Sequence, residues 1–194
     1  MSVTLSHFSL DRIVAAVEQV RERLVRATSA FKRDGVPYAV IGGNAVFLWV
    51  GTLDEAATRN TPNVDLLIDR DNLAQAAASL EGVGFVPVAG TPDLFLDGSE
   101  GSPRTRLRLI FANEKVKEAD LLPNPGCADA EQIGQFAVLP LFSLVQAKLN
   151  AYRIVDRVHL RDMLDISLID ASWTERYPPE LGARLQALID NPDG

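Results

Sequence analysis

Of the 194 residues, one is cysteine and two are histidine. Cys127 has no partner for an internal disulfide, which fits a reducing compartment, and a cytoplasmic location is expected. With two histidines and one thiol, a closed zinc centre lacks its ligands. No apolar run approaches the roughly 18 residues that a membrane-spanning helix needs. The best stretch, Tyr38 to Gly51, is broken by Asn44 and by glycines. The N-terminus has no basic segment leading into an apolar core, so no secretion signal is expected. Positive charge is also scarce: 19 Lys and Arg face 26 Asp and Glu, leaving a net charge of −7. DNA and anionic membranes would repel such a surface, which excludes nonspecific binding to either. A local cluster of cations can still hold a phosphate.

What is present describes an ordinary folded chain. Hydrophobic residues at 47% and charged residues at 23% exclude global disorder, and the length suits one domain over residues 1–194. Ile13, Val17, Val20, Leu24, Ala27 and Phe31 recur at helical spacing, with Ser9 as N-cap and Asp34-Gly35 as the stop. Tyr38 to Ile41 reads as a strand that ends in Gly42-Gly43, and Asn44 to Val50 as a short buried helix. Val64 to Ile68 is a second strand, and Asp71 opens an alanine-rich helix that Gly82 and Gly84 close. Short strands follow at 85–88 and 94–96, then a turn at 97–103 and a strand at 105–111. Residues 113–135 read as loop. Helices are expected from Pro140, over His159 to Ile169, and over Pro179 to Leu188. The order predicts a mixed α/β fold with a helical C-terminal part.

Three segments carry the chemistry: Gly42-Gly43 after a strand, Arg59-Asn-Thr61-Pro-Asn63-Val-Asp65 entering the next, and Arg104-Thr-Arg106-Leu-Arg108. Glycines let a backbone approach a ligand with bare N–H groups, and a helix start adds partial positive charge, which suits phosphate. Taken alone, the glycine pair also fits a plain tight turn. On a strand, Asn63 and Asp65 point to one face with Cα atoms roughly 6.6 Å apart. Two carboxylates so placed would hold Mg²⁺ for phosphoryl or nucleotidyl transfer.

A Gly-Gly turn followed by an R-x-T-x-D-x-D segment resembles the nucleotidyltransferase superfamily (polymerase-β-like), and within it the toxin-type and abortive-infection nucleotidyltransferase-like proteins. The likeness extends to Lys148 in Leu144–Arg153 and to Asp156–Asp162, similar to the lysine-bearing and acidic helices beside the active site of those relatives. It implies a nucleotidyltransferase-like core over 36–122 and a helical part over 140–194. Gly42, Gly43, Arg59, Thr61, Arg108 and Lys148 would contact a nucleoside triphosphate, and Asp65 with Asn63 would be catalytic, with Asp65 on the metal. Relatives of this kind often act beside a partner protein or antitoxin.

Two departures weaken the catalytic reading. Asn63 stands where the first carboxylate belongs, and Arg106 or Arg108 where the third does. An amide removes negative charge from a site for a hard dication, and an arginine adds permanent positive charge. We expect Arg108 to pair with Asp65 in place of a metal. The resemblance then implies a catalytically impaired module that binds a nucleotide or a partner. The alternative is an active Mg²⁺-dependent transferase acting on a protein, RNA or small-molecule hydroxyl.

The other candidates have structural readings as well. Lys148 either contacts phosphate or snorkels at the core's edge. Arg153, Asp156, His159 and Asp162 fit a solvated ion-pair face better than a metal cluster. Arg104, Arg106 and Arg108, on one strand face, line either a charged edge or a triphosphate wall. Cys127 is expected to be an inert thiol, and Phe47 and Trp49 to be core.

Overall fold

The computed structural model describes residues 10–191. Helix α1 (Leu10–Asp34) follows the apolar stripe, but only its second half is covered: Leu24, Ala27 and Phe31 are buried, while Val14 is exposed. Ser9 lies outside the described residues. Gly35 ends α1 at φ +70°, with Val36 N–H bonded back to Phe31 O at 2.9 Å, the left-handed stop that glycine favours. Strand β1 (Ala39–Ile41) runs straight into α2 (Gly42–Gly51), two residues earlier than the sequence suggested. Ala45, Val46 and Val50 give α2 its buried side; Phe47 and Trp49 are partly exposed, and Trp49 donates its indole N–H to Leu139 O at 2.9 Å.

Strand β2 (Val64–Ile68) has the expected bounds. Val64, Leu66, Leu67 and Ile68 are fully covered, so both faces of β2 are packed and Asp65 is its one polar member. A 3₁₀ turn (Arg70–Asn72) delays α3 (Leu73–Glu81) past Asp71. The hairpin β3 (Phe85–Val88) and β4 (Thr91–Asp97) follows. Another 3₁₀ turn (Pro103–Thr105), with Ser102 Oγ accepting from Arg104 N–H, delays β5 to Leu107–Phe111. Arg104 therefore lies in a turn, and the three arginines do not share a strand face.

Residues 113–135 are not all loop. They contain β6 (Glu131–Ile133), which turns at Gly134 (φ +58°) into β7 (Phe136–Val138). These strands extend a seven-stranded sheet of order β3-β4-β5-β2-β1-β7-β6. Its centre is mixed: β2 pairs antiparallel with β1 and parallel with β5, and β1 pairs parallel with β7. Helices α4 (Leu141–Ala151), α5 (Ile154–Asp165) and α6 (Pro179–Asp190) complete the chain. Helix α5 begins five residues before His159, because left-handed Tyr152 (φ +46°) ends α4 and Asp156 Oδ2 reaches back to accept the Arg153 backbone N–H at 3.2 Å. A 3₁₀ turn (Ala171–Arg176) that the sequence did not announce precedes α6. Among the described residues no helix is long and apolar enough to cross a membrane.

Candidate functional site

The register of the three central strands builds the site. Asp65 has Ile41 opposite it on β1 and Arg108 beside it on β5. Gly42 therefore follows directly on Asp65's neighbour, and it needs to be glycine. Its φ is +75°, and a Cβ there would lie 2.5 Å from Asp65 Oδ2. A Cβ on Gly43 would lie 2.8 Å from Thr61 Cγ2. Asn44 Nδ2 donates to Asn63 O at 2.7 Å, fastening the segment before β2 to the start of α2. The glycine pair is thus packed against two of the expected site residues. No side chain caps the first turn of α2, whose N–H groups stay available to an anion.

These residues wall a cavity of about 280 Å³. Gly42, Gly43, Thr61, Asn63, Asp65, Arg108 and Lys148 all line it. Five cationic side chains (Arg106, Arg108, Lys117, Lys148, Arg153) face three carboxylates (Asp65, Asp120, Asp156) across it. Burial pushes the Asp65 carboxyl above its usual range, against the opposing pull of Lys148 and then Arg108, Arg106 and Arg153. Asn63 Oδ1 is buried without a hydrogen-bond partner among the described residues.

Three expectations about this wall need correction. Arg108 does not pair with Asp65; its Nε donates to Asp93 Oδ2 on β4 at 3.1 Å, and its charge reaches Asp65 only through space. Asp93 captures the guanidinium because β4 flanks β5 on the side away from β2, so a long side chain leaning outward meets it first. Arg59 does not line the cavity: its Nε lies 2.8 Å from both oxygens of Asp162 on α5, which draws it off the cleft. Lys148 does not snorkel, since Nζ is buried and donates to Asp156 Oδ1 at 2.9 Å. Burial lowers the Lys148 pKa, opposed by Asp156.

Nor is the 153–162 stretch a solvated face. Asp156, His159 and Asp162 are all buried, because α5 turns this side toward α2 and α4. Asp156 is the hub, accepting from Lys148 and from Arg153 Nε at 2.7 Å. Burial acts to raise its pKa, but Arg153 and Lys148 outweigh burial and hold it below the ordinary value. Burial, helped by the charge of Lys148, pushes His159 down to about 4, and its Nδ1 has no partner among the described residues. No group of three or more His, Cys, Asp or Glu able to hold a metal occurs among those residues. Cys127 is buried, with its thiol hydrogen-bonded to Asp69 and pushed up in pKa by burial.

Sequence reasoning set the helices of Arg153, Asp156 and His159 beside the active site only by resemblance and gave these residues no role in it, although a lysine five residues before an Arg-x-x-Asp helix start is the visible signal. The contribution of Lys117 and Asp120 carried no such signal. That loop is shaped by scattered bonds, such as Asn150 Nδ2 to Leu122 O at 2.7 Å.

No known protein family matches the sequence, and no curated protein does. Among solved structures, the solution structure of the antibiotic-resistance factor ANT(2'')-Ia is similar, with a TM-score of 0.52 and 15% identity over 90% of this chain and 92% of that one. A crystal structure of ANT(2'')-Ia in complex with adenylyl-2''-tobramycin has a TM-score of 0.49 and 17% identity over 90% and 98% of the two chains. At such identities the solution structure speaks for architecture alone: this chain, with its mixed seven-stranded sheet and C-terminal helices, has the nucleotidyltransferase fold.

Proposed function

We propose that the cleft binds the polyphosphate of a nucleotide as its metal-free anion, and that the chain does not perform metal-dependent nucleotidyl transfer. One observation carries this reading: a chain of net charge −7 concentrates five cationic side chains around a cavity at the start of α2. Arg106, whose Nη1 donates to Pro103 O at 3.3 Å, and Lys117 both line the cavity and make no ion pair among the described residues, so neither charge is neutralised by a carboxylate partner. Polyphosphate oxygens meet guanidinium forks and backbone N–H groups well.

The residues do not fit magnesium. The wall offers Asp65, the amide oxygen of Asn63 and Asp120, whose Oδ2 already accepts from Lys117 N–H at 2.8 Å, while Asp156 is taken by Lys148 and Arg153. Arg108 stands at Asp65's register partner, adding charge of the wrong sign. A centre that must neutralise developing negative charge with two dications needs more carboxylate oxygen than this. The feature favouring the active alternative is the unpartnered Asn63 Oδ1, which a cation shared with Asp65 would satisfy.

Calorimetric titration with ATP, in EDTA and again in excess Mg²⁺, separates the two. Metal-free ATP is expected to bind more tightly than its magnesium complex, because the complex carries less negative charge. Binding that requires Mg²⁺, with label transferred from ATP to an acceptor, overturns the proposal, and so does the absence of binding in both conditions. Asn63→Asp is expected to weaken ATP binding without creating transferase activity, since Arg108 stays in place.

A further inference from the structure

Arg23 belongs to α1, outside the cavity, and 4% of it is exposed. Its Nη1 donates to Pro62 O at 2.7 Å and to Thr105 O at 3.2 Å, and its Nε lies 3.3 Å from Asp97 Oδ2. Asp97 also receives Arg26, whose guanidinium rests on the Phe85 ring with 4.5 Å between its carbon and the ring centroid. The two carbonyls belong to the chain segments that deliver the site. Pro62 immediately precedes Asn63, and Thr105 immediately precedes Arg106. The next bond along ties these segments to each other: Val64 N–H donates to Arg106 O at 3.0 Å, opening the parallel pairing of β2 with β5.

We infer that Arg23 is a positioning residue that sets the distance between the Asn63–Asp65 wall and the Arg106–Arg108 wall of the cleft. A part-buried carbonyl that loses its donor is destabilising, and at this junction two carbonyls from segments remote in sequence, one just ahead of β2 and one just ahead of β5, share one guanidinium nitrogen. The fork fixes both at once, and Asp97 fixes the fork. Lysine, a point charge on a flexible stem, does not reproduce a guanidinium that presents Nη1 to two carbonyls and Nε to a carboxylate. Burial lowers the Arg23 pKa, opposed by Asp97, and the group stays cationic. The role in ligand binding rests on the nucleotide reading above; the clamp itself rests on geometry alone.

The test compares Arg23→Lys and Arg23→Gln with Phe31→Leu, a core substitution on the same helix that touches neither carbonyl. ATP affinity in EDTA is measured where all are folded, together with hydrogen exchange at the Val64 amide. Both Arg23 variants are expected to lose affinity, by roughly tenfold for Arg23→Lys, the worth of one charged hydrogen bond. Phe31→Leu is expected to lose stability but keep affinity. Val64 exchange should quicken in the Arg23 variants beyond any global change. Wild-type affinity in a folded Arg23→Lys protein overturns the inference, as does an equal loss in Phe31→Leu. If the wild-type chain binds no ATP, the nucleotide reading fails, and the exchange result alone decides the clamp: faster exchange supports it, and exchange equal to that of Phe31→Leu overturns it. Should Arg23→Gln fail to fold, Arg23→Lys carries the comparison.

Discussion

Gly42→Ala adds one methyl group where two demands coincide. The first is conformational: at φ +75° an L-residue incurs about 1–2 kcal/mol. The second is contact: the new Cβ would lie 2.5 Å from Asp65 Oδ2, 3.2 Å from Asp65 Cβ and 3.3 Å from Cγ. The carboxylate can swing aside, but the Cβ is fixed to β2, so the strain is relieved only in part. Overpacking of this kind costs about 1–3 kcal/mol, giving about 2–5 kcal/mol in all. Gly98 supplies the reference, for it has φ +79° and nothing within 4 Å of its added Cβ. Gly98→Ala therefore incurs the conformational cost alone. Urea unfolding at neutral pH measures both variants. Combining Gly42→Ala with Asp65→Ala removes the closest contact and should return about 1 kcal/mol or more as a coupling energy. If Gly42→Ala costs no more than Gly98→Ala, or if the double variant is additive, the close approach of the glycine turn to Asp65 is refuted.

Three further outcomes are expected. Lys148→Met leaves Asp156 buried with one cation fewer and should destabilise the chain by about 3 kcal/mol in chemical denaturation; a loss below about 0.5 kcal/mol would contradict the buried pair. His159 has its folded pKa depressed to about 4, so between pH 6.5 and 4 the unfolded chain binds more protons than the folded one. Stability should fall as pH drops through that window, and His159→Gln should flatten the fall; parallel curves would show that His159 titrates normally. Arg59→Gln should leave ATP affinity unchanged, because Asp162 holds this exposed side chain off the cleft; a tenfold loss would place it back on the ligand.

The central architecture was legible because local signals and packing agree there. Both bounds of β2 follow from an apolar run so dense that both its faces must be covered. Gly35 was readable as a stop, and Gly42-Gly43 as a turn, because each glycine occupies a backbone state or a tight space that other residues resist. Thr61, Asn63 and Asp65 were singled out by the resemblance of the Arg59–Asp65 segment, and all three line the cavity. The partners of long charged side chains were not. Arg108 had Asp65 beside it in register, yet Asp93 from β4 captures it, and nothing local in the sequence fixes which carboxylate a guanidinium reaches. Arg59 was lost to Asp162 in the same way. The spacing of Arg153, Asp156, His159 and Asp162 showed that they share a helix side, but whether that side meets water or protein depends on where α5 docks. Strands β6 and β7 are three residues each, too short for alternation to register.

Strand β2 joins an antiparallel neighbour on one side to a parallel neighbour on the other, and this has a consequence for assembly. An antiparallel return needs little intervening chain, whereas the parallel partner arrives only after α3 and the β3–β4 hairpin have been made. The pocket's glycine edge can therefore form early during synthesis, its arginine edge later, and the side lined by Lys148 last of all, once α4 has emerged. A nascent chain halted after Ile68 would display Asp65 on an unfinished sheet margin, with none of the cations that later surround it.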